Sequence, residues 1–404
     1  MLQSVKNAAI AVIMFIVMFI VAAAPVRAAD AASADDAARF LAGMPLPAQS
    51  PLAPLTKDPW WQRHARFFDG AFGQLEERQL SKIRVWAGTN LAAPRSTMFY
   101  MFSGPDFLYA DAFYSKATTY VLSALEPVGS VSDLTRLSSD GIYYTLYDVE
   151  HSLSSMLNFS FFITKHMKAD LHAGEVSGTL PILYVFLVRS GKTIRDVSPV
   201  TLDDQGIEHS ANDSVGRSAA RGIRIRFAGS DGVEKTLYYF STDLSNSGVQ
   251  SSGFLKFCAA LAPGNSLIKS ASYLLHAGKF ATVRNFLLAN SATIIQDDSG
   301  IPLGDYDPRK WRFFPFGRYA GPIVKFPGKY QPGYAELFQR SEPIDFGIGY
   351  RWRSSETNLL LSVKLASDAP GSADTAPATD LPQPKPPRPT RPRSQHRSFW
   401  PFDW

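Results

Sequence analysis

Five acidic side chains stand where apolar, strand-like runs stop: Asp106, Glu126, Asp243 and the adjacent pair Asp297 and Asp298. Asp106 follows the run opened by Thr97, Glu126 follows Thr118-Thr-Tyr-Val-Leu-Ser-Ala-Leu, Asp243 follows Thr236 to Phe240, and the pair follows Ala292 to Ile295. In an open α/β sheet the carboxyl ends of parallel strands form the ligand crevice, so acids placed there converge. Converging carboxylates hold a hard cation such as Ca²⁺ or Mg²⁺, accept hydrogen bonds from sugar hydroxyls, or share a proton for acid–base work. The same residue types also form turns and cap helices. The two roles separate on whether the strands share one parallel sheet.

Other constellations have the right residue types and the wrong spacing. Asp297, Asp298, Asp305 and Asp307 place four carboxylates in eleven residues, bent by Gly300 and Gly304. That is a composition for Ca²⁺, but it departs from the twelve-residue EF-hand, and a solvated acidic turn is the expectation. His166, Asp170 and His172 cannot all face one metal from a single helix. Ser266-Leu-Ile-Lys269 fits the Ser-x-x-Lys of penicillin-recognising enzymes, yet the partner elements of that chemistry do not follow it. Ser270 or Ser272 with His276 is the remaining hydrolytic arrangement. Cys258 shares a helical face with Phe254, Phe257 and Leu261 and reads as a small core residue.

Behind these residues, Thr97 to Gly300 alternates β-branched runs with helix-period segments, the pattern of a layered α/β fold. The elements expected are a strand from Thr97, a short aromatic helix over Asp106 to Tyr114, and a strand from Thr118. Ile142, Leu146, Val149, Leu153 and Met156 then step by four, three, four and three, which specifies a helix. Ile182 to Val188 is apolar throughout and fits either a strand or a buried helix. Ile223 to Phe227 and Thr236 to Phe240 form a hairpin about a Gly-containing loop. Helices over Phe254 to Leu261 and Phe280 to Leu288, and strands over Leu267 to Leu275 and Ala292 to Ile295, follow. After Trp311, aromatic residues interleave with Gly and Pro as a loop-rich cover, closed by a hairpin of Asp345 to Trp352 with Asn358 to Lys364.

The stretch Thr97 to Glu126 resembles the nucleotide-binding half of Rossmann-like proteins, methyltransferases among them, in which the acid ending the second strand holds a ribose. Phe102-Ser-Gly-Pro-Asp106 has one glycine where close cofactor approach needs two or three, so the likeness implies the fold alone. Phe102-Ser-Gly-Pro-Asp-Phe107, Leu125-Glu-Pro127, Lys269-Ser-Ala-Ser-Tyr273 and Gln296-Asp-Asp-Ser-Gly-Ile-Pro302 also resemble segments of a family of uncharacterised secreted bacterial proteins. That likeness implies one fold for these segments and carries no activity.

The sequence has 404 residues, 41 Lys plus Arg against 36 Asp plus Glu, 45% hydrophobic residues and one cysteine. Apolar content on this scale excludes wholesale disorder, and one cysteine leaves no disulfide partner within the chain. Lys6, the apolar run Ala8 to Ala24 and Val26-Arg27-Ala28 read as a signal peptide over 1–28, or as an uncleaved anchoring helix. The expectation is a periplasmic or secreted protein: an Ala/Pro-rich linker over 29–56 with room for a short helix around Ala37 to Ala42, one α/β domain over 57–366 with 311–366 as a candidate subdomain, and a disordered basic Pro-rich tail over 367–404. The expected fold is α/β, a Rossmann-like mixed or mainly parallel sheet with an aromatic, loop-rich C-terminal part. Removing Lys6, Arg27 and the tail leaves 34 basic against 32 acidic residues, so the body carries no nucleic-acid footprint. Lys385 to Arg397 is the part suited to anionic envelope polymers or lipid headgroups. The expected function is binding of a polar envelope ligand in the acidic strand-end cleft. Alternatives are an envelope-directed hydrolase using the same carboxylates and a structural envelope protein with a tethering tail.

Overall fold

The computed structural model describes residues 32–91, 93–162, 171, 174–210 and 220–365. The expected signal peptide over 1–28, the His166, Asp170 and His172 trio and the expected tail from Ser367 lie outside these residues. Helices α1 (Ala34–Leu41), α2 (Pro59–Leu75) and α3 (Ser81–Asn90) precede β1 (Thr97–Met101), α4 (Phe107–Tyr114) and β2 (Thr119–Ala124). A small pair, β3 (Ser130–Val131) and β4 (Val176–Ser177), brackets α5 (Ser139–Phe159) in sequence. Then come α6 (Leu180–Arg189), β5 (Thr193–Leu202), β6 (Glu208–Ser210), β7 (Ala220–Ala228) and β8 (Glu234–Ser241). The last part holds α7 (Asn246–Ser251), α8 (Phe254–Ala260), β9 (Gly264–Ile268), α9 (Ala281–Asn290), β10 (Ser291–Gln296), β11 (Trp311–Gly317), α10 (Pro332–Leu337) and β12 (Asn358–Lys364).

Ten of these strands form one mixed sheet in the order β11-β12-β10-β9-β1-β2-β8-β7-β5-β6. Its centre, β10-β9-β1-β2-β8, is parallel throughout, and antiparallel strands extend it on both sides. The expected α/β class is therefore observed. Strand alternation sorts the core into two faces. Met98, Tyr100, Tyr120 and Leu122 join the helices α1 to α6 in one cluster, while Phe99, Met101, Val121 and Ile294 join α7, α8 and α9 in the other. A parallel sheet covered on both faces explains why β1 and β2 read as continuous apolar runs.

Residues 29–56 are not a linker from Ala34 onward. Ser33 Oγ accepts from Asp36 N at 3.1 Å to cap α1, and Trp61 Nε1 donates to Phe40 O at 3.0 Å. Phe40, Leu41 and Leu52 are fully buried. The short helix that the sequence allows around Ala37 to Ala42 starts at Ala34 and packs its apolar face into the core, which the Ala/Pro composition concealed. The candidate subdomain over 311–366 is also not separate, because β12 pairs with both β10 and β11 and so continues the main sheet. Asp345 to Trp352 supplies one isolated bridge, Ile348 to Arg351, rather than a hairpin strand. Pro315 is tolerated in β11 because that strand is the sheet edge.

Candidate functional site

The chain runs from β1 outward to β2 and β8, then returns to lay β9 on the opposite side of β1 and β10 beyond it. The order reverses between β1 and β9, and their ladder extends over two pairs only, Met98–Asn265 and Phe99–Ser266. Strands that diverge at such a switch point open a crevice at their carboxyl ends. Four neighbouring strand-end turns lie at this switch point: Phe102 to Asp106 after β1, Leu125 to Pro127 after β2, Lys269 to Tyr273 after β9 and Asp297 to Gly300 after β10. These turns hold the four segments quoted for the secreted-protein resemblance.

Lys269 lies at the centre, 3% exposed. Its Nζ is 2.8 Å from Asp106 Oδ2, donates to Ser160 O, and sits 3.6 Å from the centre of the Tyr109 ring. Asp106 accepts further from Tyr100 Oη at 2.8 Å and from Tyr109 N at 3.3 Å, so it caps α4 and pairs the lysine at once. Burial pushes the Lys269 ammonium down, opposed by Asp106. Asp297 is fully buried. Its Oδ1 accepts from Ser299 N at 3.0 Å and Ser299 Oγ at 2.5 Å, and its Oδ2 from Ser270 N at 3.0 Å. Burial first, then the neighbouring Asp298, raise its carboxyl to about 6. Asp298 is raised by burial, while donation from Tyr273 Oη at 2.6 Å and Asn358 Nδ2 at 2.9 Å pulls it back.

The backbone here is strained. The described residues other than glycine with left-handed φ are Phe102, Ser160, Ser270, Ser272 and Tyr273. Phe102 ends β1, Ser160 supplies the carbonyl that Lys269 binds, and the other three form the turn after β9. Such conformations cost about 1–3 kcal/mol each and concentrate at functional sites. Ser270 Oγ is buried without a hydrogen-bond partner. Gly349, at φ +57°, lies against it: an added Cβ would stand 2.0 Å from Asp297 Oδ2 and 3.0 Å from Ser270 Oγ, so this position requires glycine. The aromatic cover closes on the same place, with Ile323 N donating to Tyr273 Oη at 3.2 Å and Gln331 Nε2 to Asp298 O at 3.2 Å.

Of the acids singled out in the sequence, Asp106, Asp297 and Asp298 are thus brought together, the first two through Lys269, whose charge both favour. Glu126 is buried beside Tyr239, whose hydroxyl donates to the Glu126 carbonyl at 2.8 Å. Asp243 stands apart: it is exposed, and its carboxylate accepts from Ser245 N and Oγ, both at 2.8 Å, as a turn former. The calcium-loop set is likewise divided, since Asp305 faces Arg284 at 3.4 Å and Asp307 pairs with Arg309 at 3.1 Å. Among the described residues no group of three or more His, Cys, Asp or Glu is placed to hold a metal ion. Ser266 Oγ is bound to Ser291 Oγ at 2.7 Å, and three residues along a strand puts it on the face opposite Lys269, which removes the Ser-x-x-Lys arrangement. Ser272 Oγ faces Tyr350 Oη at 2.6 Å, not His276, and burial with help from Lys329 lowers His276 to about 4. Lys269 as the central cation went unread in the sequence. Its signal was a lone lysine directly after the apolar Leu267-Ile268. Compared with protein-family models, curated proteins and solved structures, the chain gives no match.

Proposed function

We propose that this is a periplasmic or secreted protein that binds a hydroxyl-rich envelope ligand, a glycan, at the β1/β9 switch point. The observation carrying this reading is Ser270 Oγ, a buried hydroxyl without a partner, held by a strained turn beside the Asp297 carboxylate. A buried polar atom left unpaired costs about 1–3 kcal/mol, and a ligand hydroxyl supplies the missing bond. Carboxylates next to aromatic rings suit sugars, whose hydroxyls donate while their apolar faces stack. Phe326, packed on the buried Tyr273 ring with centres 5.0 Å apart, and the Phe161–Tyr350 pair, 5.3 Å apart, are half-buried and provide such surfaces near the acids.

The test is calorimetric titration of the full chain with soluble peptidoglycan and polysaccharide fragments, comparing wild type with Ser270→Ala. Saturable binding weakened about tenfold in the variant, at unchanged unfolding temperature, supports the reading. Binding that Ser270→Ala leaves intact, or the absence of binding across the panel, overturns it. The hydrolase alternative draws support from Asp297 at about 6, a carboxyl able to give and take a proton near neutral pH. Release of reducing ends from the same fragments, with a pH limb near 6 that Asp297→Asn removes, would select it over simple binding.

A further inference from the structure

A second site lies across the sheet extension and shares no residue with the strand-end centre. The face of β5 and β7 turned toward α1 and α6, the N-terminus of α1 and the segment 128–134, which includes β3, enclose a groove of about 940 Å³, within the size range of small-molecule sites. Val131, Val197 and Ile223 give it apolar walls. Two cations line it, Arg195 on β5 and Arg221 on β7, both exposed and neither with an ion-pair or hydrogen-bond partner among the described residues. The acids that also line it are committed elsewhere. Asp196 accepts from Ser198 Oγ at 2.8 Å and pairs with Arg226 at 3.4 Å, while Asp133 accepts from Thr135 Oγ1 at 2.7 Å and pairs with Arg136 at 3.7 Å. The uncompensated charge in the groove is therefore positive.

Tyr184 of α6 supplies the independent mark of a ligand. It lines the groove at 5% exposure, yet its hydroxyl has no hydrogen-bond partner among the described residues, and burial alone pushes its phenol up to about 12. The ring is packed away while the hydroxyl stays accessible at the groove wall, free to donate to or accept from a ligand. Arg221 pairs in register with Thr201, six residues beyond Arg195, so the cations stand roughly 20 Å apart along the strands and leave an apolar stretch between them.

We propose that this groove binds a small amphipathic anion, its apolar body lying along Val131, Val197 and Ile223, its carboxylate or phosphate held by Arg195 or Arg221, and its polar edge bonded by Tyr184. The complementarity is of charge and of shape: an apolar floor, guanidinium at the rim and one hydroxyl on the groove wall to fix orientation.

Calorimetry and thermal shift on the full chain, with octanoate, octyl phosphate and the neutral octanol below their aggregation limits, test it. The expected result is saturable binding of at least one anion, with octanol about tenfold or more weaker, since charged hydrogen bonds are lost. The two anions distinguish a carboxylate from a phosphate headgroup. Arg195→Gln/Arg221→Gln should lose the preference for anions and Tyr184→Phe should weaken binding several-fold, with unfolding temperatures unchanged because the arginines are exposed. Equal binding of octanol, undiminished binding in the double arginine variant, or no saturable binding of either anion overturns the proposal. None of these readouts depends on glycan binding at Ser270.

Discussion

The Lys269–Asp106 pair sets the energetics at the strand ends, because both members are almost wholly buried. Removing one partner leaves an uncompensated buried charge, which costs about 3–5 kcal/mol, whereas removing both can be close to neutral. Lys269→Met should therefore lower stability by about that amount in urea unfolding, and Asp106→Asn/Lys269→Met should recover much of the loss. A single variant within about 1 kcal/mol of wild type would show that the pair does not hold the turns together. Asp297 makes the opposite kind of contribution. Its folded carboxyl lies at about 6, above the ordinary 3.8, so between those values the native state binds more protons than the unfolded chain. Stability from this group is full below about 4 and is lost as pH rises through about 6, a change of up to about 3 kcal/mol. Asp297→Asn removes the titration. Hence the unfolding temperature of wild type minus that of the variant should fall between pH 4 and 7, and a flat or rising difference contradicts the raised carboxyl.

At the scale of elements, α1 is part of the domain through Phe40, which is fully buried and packs against the tilted Trp61 ring with ring centres 6.2 Å apart. Phe40→Ala should cost about 3–5 kcal/mol of unfolding free energy, where a residue in a free linker would cost almost nothing. The sequence allows a short helix over Ala37 to Ala42 but does not show its place in the core, because eight residues offer barely two turns of periodicity. Elements with long patterns were legible: α5 follows its four–three steps, and β1, α4, β2 and the β7–β8 hairpin fall where their runs and turns place them. The helices from Pro59 to Asn90 were not foreseen, although Asp58 Oδ1 accepting from Trp60 N at 2.8 Å and Pro59 in the first turn form a readable start signal. Ile182 to Val188 resolved as helix α6, buried on every side, which periodicity could not decide. The end of β9 was misjudged for a different reason. The run predicted to reach Leu275 stops at Ile268, because Ser270, Ser272 and Tyr273 adopt left-handed φ that no propensity favours. The π-helical segment Glu76–Leu80 between α2 and α3 belongs to the same support: it turns Gln79 inward, where Gln79 accepts from Tyr109 Oη and donates to Trp352 O at 3.0 Å. Strain and polar linkage thus gather where the local sequence signal fails. The partner of β12 was equally beyond local reading, since pairing with β10 and β11 rather than with a neighbouring segment is a property of the assembled sheet.

For the whole molecule, the charge divides into regions with separable consequences. The body from Ala29 to Ala366 is nearly balanced, with 34 basic against 32 acidic residues, while Lys385 to Arg397 carries five cations and no acid. An anionic surface attracts such a cluster by about 1 kcal/mol per basic residue within a Debye length of about 10 Å at 0.1 M salt. A balanced body has no comparable long-range attraction, although Arg195 and Arg221 suffice for a small ligand that enters their groove. Deleting Ser367 to Trp404 should therefore abolish co-sedimentation with anionic lipid vesicles at low salt, leave the unfolding temperature of the remaining chain unchanged, and preserve its response to octanoate or octyl phosphate. Vesicle binding that persists in the truncated protein would place the attraction in the body. Loss of both responses would mean that the tail, rather than the groove, supplies the cations that small anions meet.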